Sequence, residues 1–90
     1  MTVSVWHIYI LRCRDGSLYA GITTDLQRRV HEHNHTSQGA RYTRARRPVE
    51  LAYSEEVDSR SAACRREWEI RQLKSTQKTQ LILSASAVSG

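Results

Sequence analysis

The chain is poor in the features that anchor, export or staple a protein. Its 90 residues hold no stretch near the roughly 20 consecutive apolar residues a membrane span needs, and no basic leader precedes a long apolar run. A soluble, unexported, cytoplasmic protein is expected. The two cysteines, Cys13 and Cys64, form no C-x-x-C pair, and both read as small buried hydrophobes in a reducing compartment. Lysine is scarce as well, since twelve of the fourteen basic side chains are arginine. No internal repeat is visible, and the length allows one domain with a modest core.

What is present is positive charge of one chemical kind. Fourteen basic against nine acidic residues give a formal charge of +5. Guanidinium forks match phosphate oxygens two at a time, so the arginine bias favours an anionic partner of defined geometry over mere solubility.

The stretch from Val5 to His33 organises the rest. An apolar, β-branched and aromatic run (Val5 to Leu11) breaks at Asp15-Gly16, resumes at Leu18 to Ile22, and changes period at Thr24. This predicts a hairpin followed by a helix. A two-residue loop would pair Cys13 with Leu18 and leave Tyr9 and Tyr19 on opposite sheet faces. A three-residue loop, Arg14-Asp15-Gly16, with Gly16 in the left-handed region, pairs Cys13 with Ser17 and Tyr19 with Leu11. The second is expected, because glycine is cheapest at that position. Tyr9, Leu11, Tyr19 and Gly21 then share a face.

The helix has a start signal in Thr24 as N-cap, Asp25 in the first turn and Gln27 at the capping-box position. Leu26 and Val30 form its apolar stripe. Arg29 and His33, four apart, are neighbours on one side of it, which places two phenols, a guanidinium and an imidazole in one group. Blander readings exist for each: strand aromatics for the tyrosines, an Asp25 partner for Arg29, a helix-end cation for His33.

Further along, His31, His33 and His35 alternate at a spacing that puts neighbouring side chains on different helix faces, which argues against structural zinc. Asn34 to Pro48 lacks a period and reads as a loop carrying Arg41, Arg44, Arg46 and Arg47 around Tyr42. That interleaving suits base stacking and phosphate contact, although a solvated charged loop is the plain alternative. Val49 to Val57 alternates enough for a third strand, with Val49, Leu51 and Tyr53 on one face. Asp58 or Ser59 caps a helix to about Lys74, and Ser75 or Thr76 a short one through Leu81 to Leu83. The domain is expected over residues 1–83, with a frayed end at Met1 to Ser4 and a disordered tail over 84–90. The fold class is α+β: a three-stranded, mainly antiparallel sheet flanked by helices, of unreadable strand order.

HIY at His7 to Tyr9, YAG at Tyr19 to Gly21, and Leu26, Arg29 and His33 on the helix together resemble the GIY-YIG nuclease superfamily, in particular its small single-domain members. The likeness continues through GARYTRARRP (Gly39 to Pro48), the strand at Leu51 to Glu55 and AACRREWEI with Glu67. His7 replaces the first glycine and Ala20 the second isoleucine. Where better-known relatives place an asparagine about three turns after the glutamate, this chain reads Gln77-Lys78-Thr79-Gln80. The resemblance implies structure-directed hydrolysis of DNA phosphodiesters with one divalent ion, Mg2+ or Mn2+, bound weakly without substrate, and no nucleotide cofactor. It implies Glu67 as metal ligand, Tyr9 with His33 as the water-deprotonating pair, Arg29 as phosphate stabiliser and Tyr19 as positioning group. On the residues alone, Glu67 equally suits an ion pair with Arg71 at i+4. A non-catalytic DNA- or RNA-binding module and a domain facing an acidic protein are the alternatives.

Overall fold

The structure, a computed structural model, describes residues 5–88. It comprises β1 (Trp6–Arg12), β2 (Leu18–Thr23), α1 (Leu26–His35), α2 (Arg41–Arg44), β3 (Glu50–Val57), α3 (Arg60–Gln72) and α4 (Ser75–Val88). The three strands form an antiparallel sheet in the order β2-β1-β3, an α+β arrangement.

The hairpin closes through the three-residue loop. Cys13 N–H donates to the Ser17 carbonyl and Gly16 N–H to the Cys13 carbonyl, each at 2.9 Å, while Gly16 takes φ 86°. Asp15 accepts from the Ser17 backbone and hydroxyl, which holds its carboxyl below the usual range. The register sets Leu11 opposite Tyr19 and Tyr9 opposite Gly21. Since directly paired residues share a face, the two tyrosines lie on the same side of the sheet.

Central β1 is covered on both faces, which explains its buried apolar run from Ile8 to Leu11. Ile8 and Ile10 pack with Ala63 and Ile70 of α3 and Ile82 of α4. Tyr9 and Leu11 pack on the other face with Cys13 and Val49, against Tyr19, Leu26 and Val30.

Several details differ from expectation. The N-cap of α1 is Asp25, not Thr24: its carboxylate accepts from Arg28 N–H, while the Thr23 hydroxyl takes Asp25 N–H. A carboxylate is a strong acceptor at the positive end of the helix dipole, and Gln27 therefore sits too early to complete a capping box. Val49, Leu51 and Tyr53 do not share a face. A register shift between Ile10 and Leu11 pairs Leu11 with Leu51 but Ile10 with Tyr53, so the extra residue, Ala52, reverses the alternation. Tyr53 joins the α3 side, Val49 stays on the α1 side, and Leu51 is exposed. Cys64 is exposed, unlike Cys13, because it lies one position past the buried Ala63.

Ser59 caps α3, accepting from Ala62 N–H. Gln77 reaches back to Lys74 N–H at the start of α4, the capping-box geometry. That helix continues through residues 84–88, part of the stretch expected to be a tail. Residues 89 and 90 of that expected tail, and the end expected to fray at Met1 to Ser4, lie outside the described residues. No helix among the described residues is long and apolar enough to cross a membrane.

Candidate active site

Three buried polar side chains, Tyr9, His33 and Thr43, are joined end to end. The Tyr9 hydroxyl lies 2.9 Å from His33 Nε2, and His33 Nδ1 lies 2.8 Å from Thr43 Oγ1. Tyr9 is 2% exposed and the other two are fully buried. Thr43 donates its one proton to the Ala40 carbonyl at 2.9 Å, so its lone pairs face the imidazole and Nδ1 carries the proton. A competing contact, Ala40 N–H toward Nδ1, is the longer at 3.4 Å and correspondingly weak. Nε2 is therefore the acceptor, and the phenol donates to it.

Burial sets the charge state of the pair. His33 is pushed down to about 4, chiefly by desolvation and then by the positive charges of Arg29 and Arg47. Tyr9 is raised, again chiefly by burial, against an opposing pull from Arg29. Both groups are neutral at pH 7.

Arg29 stands beside them, about a quarter exposed. Its guanidinium donates to Glu32 Oε1 at 3.0 Å and to the Gln38 carbonyl at 2.9 Å. Burial works against its charge, yet contacts with Tyr9 and Glu32 hold it above its ordinary value. Tyr19 meets the His33 ring edge-on, with centroids 5.4 Å apart, and stacks on Tyr42 at 5.9 Å. The Arg46 guanidinium covers Tyr42 at 3.9 Å from the ring centroid and is held by Asp15 and the Tyr42 carbonyl.

The arginine segment is less of a loop than its sequence suggests. It contains α2, which presents Thr43 inward and leaves Arg41, Tyr42 and Arg44 exposed. Among the described residues neither Arg41 nor Arg44 forms an ion pair, so both are open to solvent. Arg47 is turned inward: it donates to the carbonyls of His33, Glu32 and Thr36. It thus meets the His33 and Thr36 carbonyls at the end of α1, where the Glu32 carbonyl already accepts from Thr36. Gly39 passes so close to that end that a Cβ would sit 2.7 Å from His33 Cα.

Glu67 lies on α3, whose Ala63 and Ile70 pack on the Ile8 and Ile10 face of the sheet, and it forms no hydrogen bond with Tyr9, Tyr19, Arg29 or His33. Its side chain is 16% exposed and Oε2 touches the Arg71 guanidinium. That oxygen is buried and lacks a directed hydrogen bond, so the pair meets by charge without alignment. A buried carboxylate oxygen whose partner is an exposed guanidinium fits a ligand for a hard divalent ion once that guanidinium turns away. Among the described residues no three His, Cys, Asp or Glu side chains come together, so waters and substrate would supply the rest of any coordination shell. Around the free edge of β2, Arg71 and Lys78 line one cleft with Tyr19 and Tyr42, which links the two faces. Thr43, Arg71 and Lys78 carry no sequence signal for these roles, since each depends on which distant element packs beside it.

The GIY-YIG catalytic domain family matches residues 5–80, and the chain belongs to that family. Within it, the chain resembles UPF0213 proteins: one from Desulfotalea psychrophila is 53% identical, covering 86% of this chain and 70% of the relative. One from Halobacterium salinarum is also 53% identical, with 83% and 96% covered. Solved structures agree. A solution NMR structure of a UPF0213 protein from Bacillus halodurans has a TM-score of 0.55 at 41% identity, covering 87% of this chain and 82% of that one. Another, of a protein from E. faecalis, has a TM-score of 0.62 at 39% identity, covering 92% and 88%.

Proposed function

We propose that this protein is an endonuclease that hydrolyses phosphodiester bonds in structured DNA with one divalent ion, Mg2+ or Mn2+, and works in the cytoplasm. The observation that carries the reading is the buried Tyr9-His33-Thr43 chain with Arg29 beside it. A neutral phenol is a poor base on its own. Linked to a neutral imidazole, it can take a proton from water while passing its own to Nε2, and Thr43 keeps the tautomer right for that step. Arg29 lies where a fixed cation can stabilise charge building on the phosphate. Tyr19 holds water or phosphate against the same face. Glu67 would hold the metal, whose chemistry is to polarise the phosphate and stabilise the leaving oxygen. Exposed Arg41 and Arg44, with Tyr42, would meet the backbone of the DNA, and Arg46 and Arg47 would support that segment.

The test is a panel of branched and linear DNAs incubated with Mg2+ or Mn2+, beside Glu67→Gln. The variant should stay folded and bind DNA but lose cleavage at every metal concentration. Full cleavage by Glu67→Gln would overturn the metal assignment. One observation favours a second reading, a non-catalytic nucleic-acid module: Arg29 and Glu67 are both engaged in ion pairs. That reading expects salt-sensitive binding to DNA or RNA without cleavage of any substrate.

A further inference from the structure

The cleft across the free edge of β2 belongs to neither face of the sheet alone. Tyr19 and Tyr42 reach it from the α1 side, Arg71 and Lys78 from α3 and α4, and Leu18 and Ala20 form its apolar floor. Its volume, about 530 Å3, lies in the range of small-molecule sites, roughly 300–1,000 Å3. One aromatic wall made by the stacked Tyr19–Tyr42 pair, an apolar floor and two cations match the two halves of a nucleotide: a flat base and its phosphate. Tyr19 is shared with the Tyr9-His33 group, so an occupant would adjoin the phosphate being cut. A second cleft, at Val5, Glu56, Val57, Asp58 and Ala62, carries two carboxylates and would repel phosphate.

We propose that this cleft is a subsite for one unpaired nucleotide next to the scissile phosphate, with Arg71 and Lys78 contacting the phosphate on its far side. A base held in a continuous duplex is stacked and paired, and it cannot enter a concave site of one-nucleotide size without being extruded at a cost of a few kcal/mol. A base already unpaired at a flap or branch point enters without that cost and gains contact with the Tyr19–Tyr42 wall. The cleft therefore selects DNA that has an unpaired nucleotide at the cleavage position. Lys78 has no ion pair or side-chain hydrogen bond among the described residues, and the Arg71 side chain is 63% exposed, so both cations can turn to a ligand. This inference rests on the reading of the site as one that binds DNA, and its test reads binding without requiring cleavage.

The experiment measures the affinity of the full chain, without divalent metal, for a flap DNA with 2-aminopurine as the first unpaired base and for a fully paired duplex of equal length. The flap should bind about tenfold tighter or more, within the range of one stacked base. Its 2-aminopurine fluorescence should be quenched on binding. Arg71→Gln/Lys78→Gln should weaken flap binding several-fold more than duplex binding, narrowing the preference while leaving the part that stacking supplies. Because Arg71 also touches Glu67, Lys78→Gln alone serves as the second variant, with a shallower salt dependence for the flap only. Equal affinity for flap and duplex, or equal losses on both, would overturn the subsite. A flap preference that depends on both cations, in a protein that cuts nothing, would keep the subsite and sink the endonuclease reading.

Discussion

Gly21→Ala tests the geometry on which the site depends. Gly21 faces Tyr9 directly across the β1-β2 pair, and a Cβ there would lie 2.4 Å from the Tyr9 hydroxyl and 2.6 Å from Cζ. To restore an ordinary contact of 3.4 Å, the hydroxyl must retreat by 3.4 minus 2.4, or 1.0 Å. Tyr9 is 2% exposed, so its ring has nowhere empty to go, and the 2.9 Å bond to His33 must stretch or break. Overpacking of this kind costs about 1–3 kcal/mol, and a strained buried hydrogen bond adds about 1 kcal/mol. Removing a glycine from a strand returns about 0.5–1 kcal/mol. The net expectation is a loss of about 2–3 kcal/mol, or a melting temperature lower by about 10–20 °C in a domain of this size.

A thermal melt followed by far-ultraviolet circular dichroism measures the change, and the alternative has the opposite sign. If Tyr9 did not lie over Gly21, alanine would be neutral or stabilising in the strand. The double variant with Tyr9→Phe isolates the contact. It lacks the hydroxyl but keeps Cζ, so Gly21→Ala should cost about 1 kcal/mol less in that background. Equal costs in both backgrounds, or a raised melting temperature in the single variant, would refute the placement of the phenol.

Tyr9→Phe and Arg29→Ala should each slow cleavage by about 10²-fold or more while DNA affinity stays within a few-fold, as for groups acting in the transition state; parallel losses of binding and rate would count against these roles. Arg44→Ala should flatten the salt dependence of DNA binding by roughly 0.9 for a lost phosphate contact with no change in urea midpoint. Arg47→Ala should lower the urea midpoint by the equivalent of about 2 kcal/mol, since it frees carbonyls at the end of α1, and a midpoint within experimental error of the parent would discount that cap. Stability should fall as the solution is acidified from pH 6.5 toward 4: the unfolded chain takes a proton on His33 below 6.5, whereas the folded one resists until about 4. The full window is worth about 3 kcal/mol. Glu55, held low by Arg66, titrates beneath the upper part of that window, so urea midpoints at pH 6.5, 5.8 and 5 isolate histidine. A His33→Gln variant with the same slope as the parent would show that the drop comes from elsewhere.

Local chemistry was legible in the sequence, and packing across long separations was not. The hairpin register followed from one glycine able to adopt φ 86°, and with it the shared face of Tyr9 and Tyr19. The helix carrying Arg29 and His33 followed from period and spacing, although its cap moved by one residue. The bulge at Ala52 was invisible because alternation reads the same on either side of an inserted residue until the partner strand is known. Arg47 and Arg44 were indistinguishable in an arginine-rich segment. One faces solvent, while the other finds three carbonyls 11 to 15 residues upstream. Thr43 was missed for the same reason, as its role exists only because α2 folds back over α1.

The directions in which burial moves Tyr9 and His33 bear on how the proposed reaction would start. In the free protein the phenol is harder to ionise and the imidazole harder to protonate, so proton transfer from one to the other is unfavourable at rest. Two guanidiniums, Arg29 and Arg47, contribute to the depression of His33. A phosphodiester docking against Arg29 brings a negative charge that offsets one of them, and the transition state brings more. Each increment favours imidazolium at His33, so the base strengthens as charge develops on the substrate. Water without substrate meets a neutral pair with little tendency to act. On this account the burial that makes Tyr9 and His33 poor acid-base groups in isolation is what confines their chemistry to the bound complex.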